Sequence, residues 1–480
     1  MHFKEQNKGK TITFYSYKGG VGRSMALINV ACLLAKKGKK VLMIDWDLEA
    51  PGLDTYFNGE VKKNDFGLVD LILNSQEFLK NEENNNIQEL NKYFKENLNK
   101  YIKTNLSLKE QRKLPKKHKE NNNFTLDLIK AGNFDKEYTA KLSSINWMDF
   151  YANTPEYFRT FADFLETEYD YVLIDSRTGL ADTSGVCTML MPSVLVLVFA
   201  LNQQNIDGVL KVCKQSLEYR FSSHDERNLN IFPLPARIDN NSSDRYQKWE
   251  DDYKKEFEKL FIDIFKLENC DIRNYLDIAH IRYDSENSYG ENIPVLTQNL
   301  NNSTLISYDY KQFTDIIDRE VPIWEYLSNE DLLSISNRAE YLGLQNKYGE
   351  ALEILEKLIP YRNGDFFFTN SLSSYAIEHS KKISKFPQRQ IILDKAYNYA
   401  LFEYKISKNP YNLACASSLL NKKDDAFRYL EETLKNNFDF YDEDYIYNIK
   451  NDLEYDFNNI RNEPKFAELM KKFNIDLSQK

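Results

Sequence analysis

Up to about residue 325, short runs of consecutive apolar residues alternate with stretches of helical apolar spacing. Ile12, Phe14 and Tyr15 make a β-prone run, and Val41-Leu42-Met43-Ile44 is apolar throughout. Tyr171-Val172-Leu173-Ile174 and Val194 to Leu201 repeat that pattern, while Phe124 to Ile129 alternates apolar with polar. Leu229 to Ile238 reads as a further strand interrupted by two prolines. Between these runs, Met25, Leu27, Ile28, Val30, Leu33 and Leu34 cover one helical face, as do Tyr157, Phe158, Phe161, Phe164 and Leu165. Strands apolar on both faces, separated by amphipathic helices, predict an α/β fold with a doubly wound, mostly parallel sheet.

The pattern changes twice. Residues 76–123 are rich in Asn, Lys and Glu, with Ile87, Leu90, Phe94, Leu98, Tyr101 and Ile102 at helical spacing. They predict a helical insertion with a mobile tip around Pro115. Its segment 109–119, KEQRKLPKKHK, is strongly basic. It reads either as a contact for a phosphate-rich partner such as nucleic acid or as a solvated charged loop. No aromatic residue interleaves with its lysines, as single-strand binding would want.

Beyond Glu325 the strand runs stop. Leu342, Tyr348, Ala351, Leu355 and Leu358, then Leu413, Ala414, Leu419, Ala426, Leu430 and Leu434, fit the helix–turn–helix repeat of about 34 residues called tetratricopeptide. Phe367 to Pro410 should hold intervening helices, and a helix around Pro464 to Phe473 should cap them. The expected organisation is an α/β domain over 1–325 and an all-α, tetratricopeptide-like domain over 326–480. The second is expected to bind a protein partner; the alternative is a generic helical appendage.

Composition narrows the setting. The 480 residues carry a net charge of −10, which argues against a protein that coats nucleic acid with its whole surface. Five scattered cysteines lack metal-like spacing and read as reduced thiols of a cytoplasmic protein. No signal-peptide core opens the chain, and no apolar run reaches the roughly 20 residues of a membrane span.

The chemistry is expected at Lys18 to Ser24, KGGVGRS, where three glycines fall within seven residues between the first strand and the first helix. Such a loop turns backbone N–H groups inward and adds the positive end of a helix, and both favour a polyphosphate. The phosphate-loop frame G-x-x-x-x-G-K-[ST] fits with two departures: Tyr17 replaces the first glycine and Arg23 the lysine. Apolar strands ending in Asp45-Trp46-Asp47 and in Asp175 add carboxylates at strand ends, where open α/β sheets bind ligands.

This layout resembles the deviant Walker A of the ParA and MinD ATPases, in the SIMIBI class of P-loop NTPases. The KGGVGR spelling is similar to a bacterial branch with an added tetratricopeptide tail, whose members look like parts of multi-gene signalling or phage-defence (antiviral) systems. The resemblance covers about residues 9–325 and implies ATP and Mg²⁺. Gly19, Gly20, Val21, Gly22, Arg23, Ser24 and Met25 would hold the phosphates, and Ser24 and Asp175, with Asp45 beside them, the metal. Asp45 would orient the attacking water, with Asp47 behind it. Lys18 would reach the partner's nucleotide across an ATP-dependent homodimer. The segment DSRTG matches the switch that senses the γ-phosphate, with Gly179 supplying an amide. Arg177 would sense the phosphate or pair across the dimer; a structural salt bridge is the alternative. Where the family reads adenine with an asparagine, Ala236-Arg237-Ile238-Asp239 stands instead, leaving Arg237 as the candidate; Pro294 would flank the base.

Three functions are consistent with these residues. One is a slowly hydrolysing ATPase that acts as a dimerisation switch and engages a protein through its tail. Another is a nucleotide-binding scaffold that does not hydrolyse. The third is a bacterial-type tyrosine kinase, suggested by Tyr441, Tyr445, Tyr447 and Tyr455.

Overall fold

In the computed structural model, residues 8–475 are described apart from 58, 82, 84, 115–121, 148–149, 151–153, 180–184, 223–228, 240–242, 286–291, 320, 327–328, 360–365, 437–448, 450–451 and 474. The basic tip at 115–119, Gly290, and Tyr441, Tyr445 and Tyr447 lie outside the described residues. The chain forms two compact units, Lys4–Tyr326 and Leu327–Lys480.

The first unit is built on one eight-stranded sheet. Its strands are β1 (Lys10–Tyr15), β2 (Val41–Asp45), β3 (Lys103–Leu106), β4 (Leu126–Ile129), β5 (Tyr171–Asp175), β6 (Val194–Phe199), β7 (Asn230–Ile238) and β8 (Ile281–Arg282). They lie in the order β3-β4-β2-β5-β1-β6-β7-β8, and every pairing is parallel except β3 with β4. β2 and β5 are buried along their whole length, as their unbroken apolar sequences require. Their last residues, Asp45 and Asp175, are partners in register. Two carboxylates are thereby placed side by side at the carboxyl edge of the sheet.

The prolines of β7 do not interrupt it. Pro233 and Pro235 pair in register with Leu197 and Phe199 of β6. The Pro233 carbonyl accepts from the Tyr275 hydroxyl at 2.7 Å, on the side away from β6. A residue's N–H and C=O share a side of the strand, so the missing donors fall where the short β8 does not yet run.

The longer helices of this unit are α1 (Arg23–Lys36), α2 (Leu68–Leu79), α3 (Ile87–Asn97), α4 (Pro155–Glu168), α5 (Gln203–Ser222), α6 (Ser243–Phe265) and α7 (Ile306–Asp318). Helix α1 starts directly after Gly22 and stops at Lys37-Gly38, where Gly38 has φ +78° and the Lys39 amide donates back to Leu34. The insertion is more than helical, because it contributes the edge strand β3. Its α3 packs Phe94 against Tyr157, Phe161 and Phe164 of α4, so this part belongs to the main core. Ile87, at the first turn of α3, is exposed.

The second unit is helical: α8 (Asn329–Leu344), α9 (Tyr348–Leu358), α10 (Phe366–Lys382), α11 (Phe386–Ser407), α12 (Tyr411–Leu419), α13 (Lys423–Asn436) and α14 (Pro464–Lys472). From α8 to α13 each helix packs on the next. Ala351, Ala376, Ala396, Ala414 and Ala426 are fully buried between them, where small side chains permit close approach. Among the described residues, no helix is long and apolar enough to cross a membrane.

Candidate functional site

A cavity of about 590 Å³ opens at the carboxyl edge of the sheet. The loop between β1 and α1 forms one wall, through Gly19 to Met25. Asp47, Glu49, Ala50 and Gly52 follow β2, and Asp175, Arg177 and Thr178 end β5. The opposite wall comes from the ends of β7 and β8 and from Ile306 and Tyr310 of α7.

Gly20 and Gly22 have φ of +74° and +99°, so the loop needs glycine at both places. A Cβ on either would meet nothing within 4 Å, which leaves open space over the loop. That space, bounded by the first turn of α1, suits an anionic ligand. Tyr17, in the place of the usual first glycine, lays its ring on Gly208 of α5, where an added Cβ would fall 2.0 Å away.

The Arg23 side chain is engaged by two carboxylates. Its Nε donates to Asp175 Oδ1 at 2.5 Å, and Nη2 to Asp47 Oδ2 at 2.9 Å. The side chain is 8% exposed, and Nη1 is buried without a partner. A lysine has one ammonium and could not span both carboxylates with this fork. Ser24 Oγ donates to Asp175 Oδ2 at 2.6 Å. This hydroxyl–carboxylate pair is a hard oxygen donor set of the kind Mg²⁺ takes, although Arg23 already holds the other Asp175 oxygen. Burial pushes the Asp175 carboxyl up, against the opposing pull of Arg23 and Ser24.

The structure does not bring Asp45 to the cavity. Its Oδ2 accepts the amides of Gly52 and Leu53, both at 3.0 Å, and Oδ1 accepts that of Asp47 at 3.3 Å. The carboxylate is spent on folding the 46–53 turn, and it is 1% exposed. Burial and the nearby Asp175 charge push its pKa up to about 8, against the amide donors. Asp47, two residues on, lines the cavity in its stead.

Arg177 pairs with Glu49, which joins the two segments that follow β5 and β2. Glu49 was legible only as part of the run DWDLEAPG; nothing in sequence spacing pointed to its partner. Gly179 has φ +79° and offers its carbonyl to the Tyr15 hydroxyl at 3.1 Å, without lining the cavity. Lys18 is exposed and outside the cavity wall, with its ammonium 5.5 Å from the centre of the Tyr17 ring. Among the described residues no carboxylate pairs with it. Arg237 reaches across to the loop, where Nη1 donates to the Gly20 carbonyl at 2.6 Å. Pro294 is not at the cavity. It opens a short helix held against the middle of α1, where Asn29 Oδ1 accepts the Val295 amide at 3.3 Å. Ile306 and Tyr310 of α7 were not anticipated, because they reach the site only through the fold.

Residues 9–219 match the family model described as an AAA domain. An uncharacterized ATP-binding protein of Methanocaldococcus jannaschii is 48% identical over 63 residues, covering 13% of this chain and 23% of that protein. The chromosome-partitioning ATPase Soj of Treponema pallidum is 49% identical over 39 residues, 8% of this chain and 15% of Soj. The chain thus spans about a quarter or less of the curated relatives it matches. Among solved structures, a putative plasmid partition protein of Borrelia burgdorferi B31 bound to AMPPNP is 18% identical over 65% of this chain and 100% of that one, with a TM-score of 0.38.

Proposed function

We propose that residues 9–219 form a ParA/MinD-like P-loop ATPase domain, and that the protein binds ATP, hydrolyses it slowly, and uses it as a dimerisation switch whose helical unit engages a protein partner. The observation that carries the reading is the phosphate loop itself, with two positive-φ glycines, a helix start and the carboxylates of Asp47 and Asp175 around one cavity.

Phosphoryl transfer to water is mostly a matter of charge and position. Amides from Gly20 to Ser24 would cradle the phosphates. Ser24 and Asp175 would hold Mg²⁺, which when bound neutralises charge on the phosphates. Asp47, which faces the cavity, takes the water-placing role in preference to Asp45, whose oxygens are occupied by backbone amides. Asp47 is bound to Arg23, and that pair must open before Asp47 can serve a water. Slow turnover follows, because a buried guanidinium–carboxylate contact is costly to break.

Two nucleotides brought face to face would repel unless cations are supplied across the interface. Lys18, exposed and without a carboxylate partner among the described residues, is placed to supply one. Lys18→Ala should therefore keep nucleotide affinity within about threefold yet lose ATP-dependent dimerisation and most turnover. Sedimentation with Mg²⁺ and a slowly hydrolysed ATP analogue measures this. A wild type that stays monomeric, or a variant that dimerises equally well, removes the switch.

The Arg23–Asp47 contact also supports a second reading, a nucleotide-binding scaffold without hydrolysis. Absence of phosphate release by the wild-type dimer would establish it.

A further inference from the structure

A polyphosphate needs positive charge from its own subunit, and the cation of the loop is committed elsewhere. Arg23 spends Nε and Nη2 on Asp175 and Asp47. A second arginine enters the same cavity from the opposite wall. Arg237, on β7, holds φ +59°, a left-handed conformation that arginine rarely adopts and that structures tend to keep at functional sites. From there its Nη1 bonds to the Gly20 carbonyl at 2.6 Å. Its guanidinium carbon lies 5.5 Å from the centre of the Tyr283 ring. Among the described residues no carboxylate pairs with Arg237, whereas Arg282 beside it is fully engaged by Asp309 through two bonds of 2.8 and 2.6 Å.

We propose that Arg237 binds the phosphates of the nucleotide, supplying within the subunit the positive charge that Arg23 withholds, and does not read the base. The inference rests on the nucleotide-binding reading above, and four features support it. The side chain already touches the backbone of the phosphate loop, so a phosphate in that loop lies within its reach. No carboxylate among the described residues neutralises its charge. The face of Tyr283 supports the guanidinium while leaving its edge donors directed at other groups. A planar, donor-only fork matches phosphate oxygens in a bidentate way, whereas it has no acceptor to offer the exocyclic amine of adenine.

Calorimetric titration of adenosine, ADP and AMPPNP into wild type, Arg237→Gln and Arg237→Lys tests this, with a guanine triphosphate analogue in parallel. Arg237→Gln should lose tenfold or more in affinity for ADP and AMPPNP, less than twofold for adenosine, and nothing in its adenine-to-guanine preference. Arg237→Lys should recover part of the loss. Tyr283→Ala, which removes only the ring support, should show the same phosphate-dependent pattern at smaller size. Equal losses for adenosine and AMPPNP, or a changed base preference, would make Arg237 a base reader and overturn the proposal. Unchanged affinities would leave it a mere strut on the loop and overturn it as well. A wild type that binds none of these ligands would overturn the nucleotide-binding reading together with it.

Discussion

In the sheet unit, Arg23, Asp47 and Asp175 meet at the wall of a cavity, and Arg23 keeps one buried donor without a partner. In the helical unit, the buried polar groups are folded in between helices. Glu403 of α11 is 0% exposed and accepts from Ser373 of α10 at 2.5 Å and Asn412 of α12 at 2.9 Å. Lys381 of α10 binds Asp456 at 2.7 Å and Glu378 at 2.6 Å. Three helices are tied by one carboxylate, which fixes their register. Glycine differs in the same sense. At Gly20 and Gly22 it grants a backbone conformation beside open space. At Gly343 and Gly349 it grants contact, since an added Cβ would fall 2.2 Å from Tyr375 and 2.6 Å from His379. Glu403 Oε1, like Arg23 Nη1, is buried without a partner, so an orphaned buried group is no guide to function by itself; what sets the Arg23 cluster apart is that it borders a cavity.

The sharpest way to break this contrast is Gly22→Val. A β-branched side chain at φ +99° is strained and would occupy the phosphate space, so nucleotide binding should vanish in calorimetry while the far-UV circular dichroism of the chain persists. Unchanged affinity would remove the phosphate-loop assignment.

Next in size, two neighbouring aspartates should separate. Asp47→Ala should bind ATP within about threefold of wild type but hydrolyse it at least roughly tenfold more slowly, because a positioned carboxylate commonly contributes 10² or more. Asp45→Ala should instead lower the melting temperature, by about 1–3 kcal/mol of stability, since the buried amides of Gly52 and Leu53 lose their acceptor. The reverse outcome, a stable Asp45 variant with normal nucleotide binding and no turnover, would return the water-placing role to Asp45.

The smallest effect concerns the helices. Glu403→Ala should cost about 1–3 kcal/mol in urea denaturation, because Ser373 and Asn412 each lose a buried charged acceptor, and should not change nucleotide affinity. A shift in affinity would show that the helical network and the cavity are coupled, and would end the contrast drawn here.

Much of the sheet unit was legible because its signals are local. An apolar run flanked by turns and a glycine cluster each act over fewer than about ten residues, the range over which backbone preference competes on equal terms with packing. The edge strand β3, Lys103–Leu106, was missed because KTNL has no apolar alternation; only pairing with β4 makes it a strand. Asp45 is a different case. Its place at a strand end was readable, but the amides that claim it come from a turn seven and eight residues away.

What the amino-acid order determined by itself is the α/β layout, the phosphate loop with its arginine, and the switch to helices beyond Glu325, since each follows from periodicity or from glycine's conformational freedom. What the tertiary structure decided is where the charges are spent. Arg23 could have faced a phosphate or a carboxylate, and the register of β2 beside β5 brought Asp47 and Asp175 within its fork. Arg237 could have pointed to solvent, and the parallel order β1-β6-β7 carried it to Gly20, 217 residues earlier in the chain. Electrostatic partnership depends on distances of a few ångströms between segments remote in sequence, and only the folded sheet sets those distances.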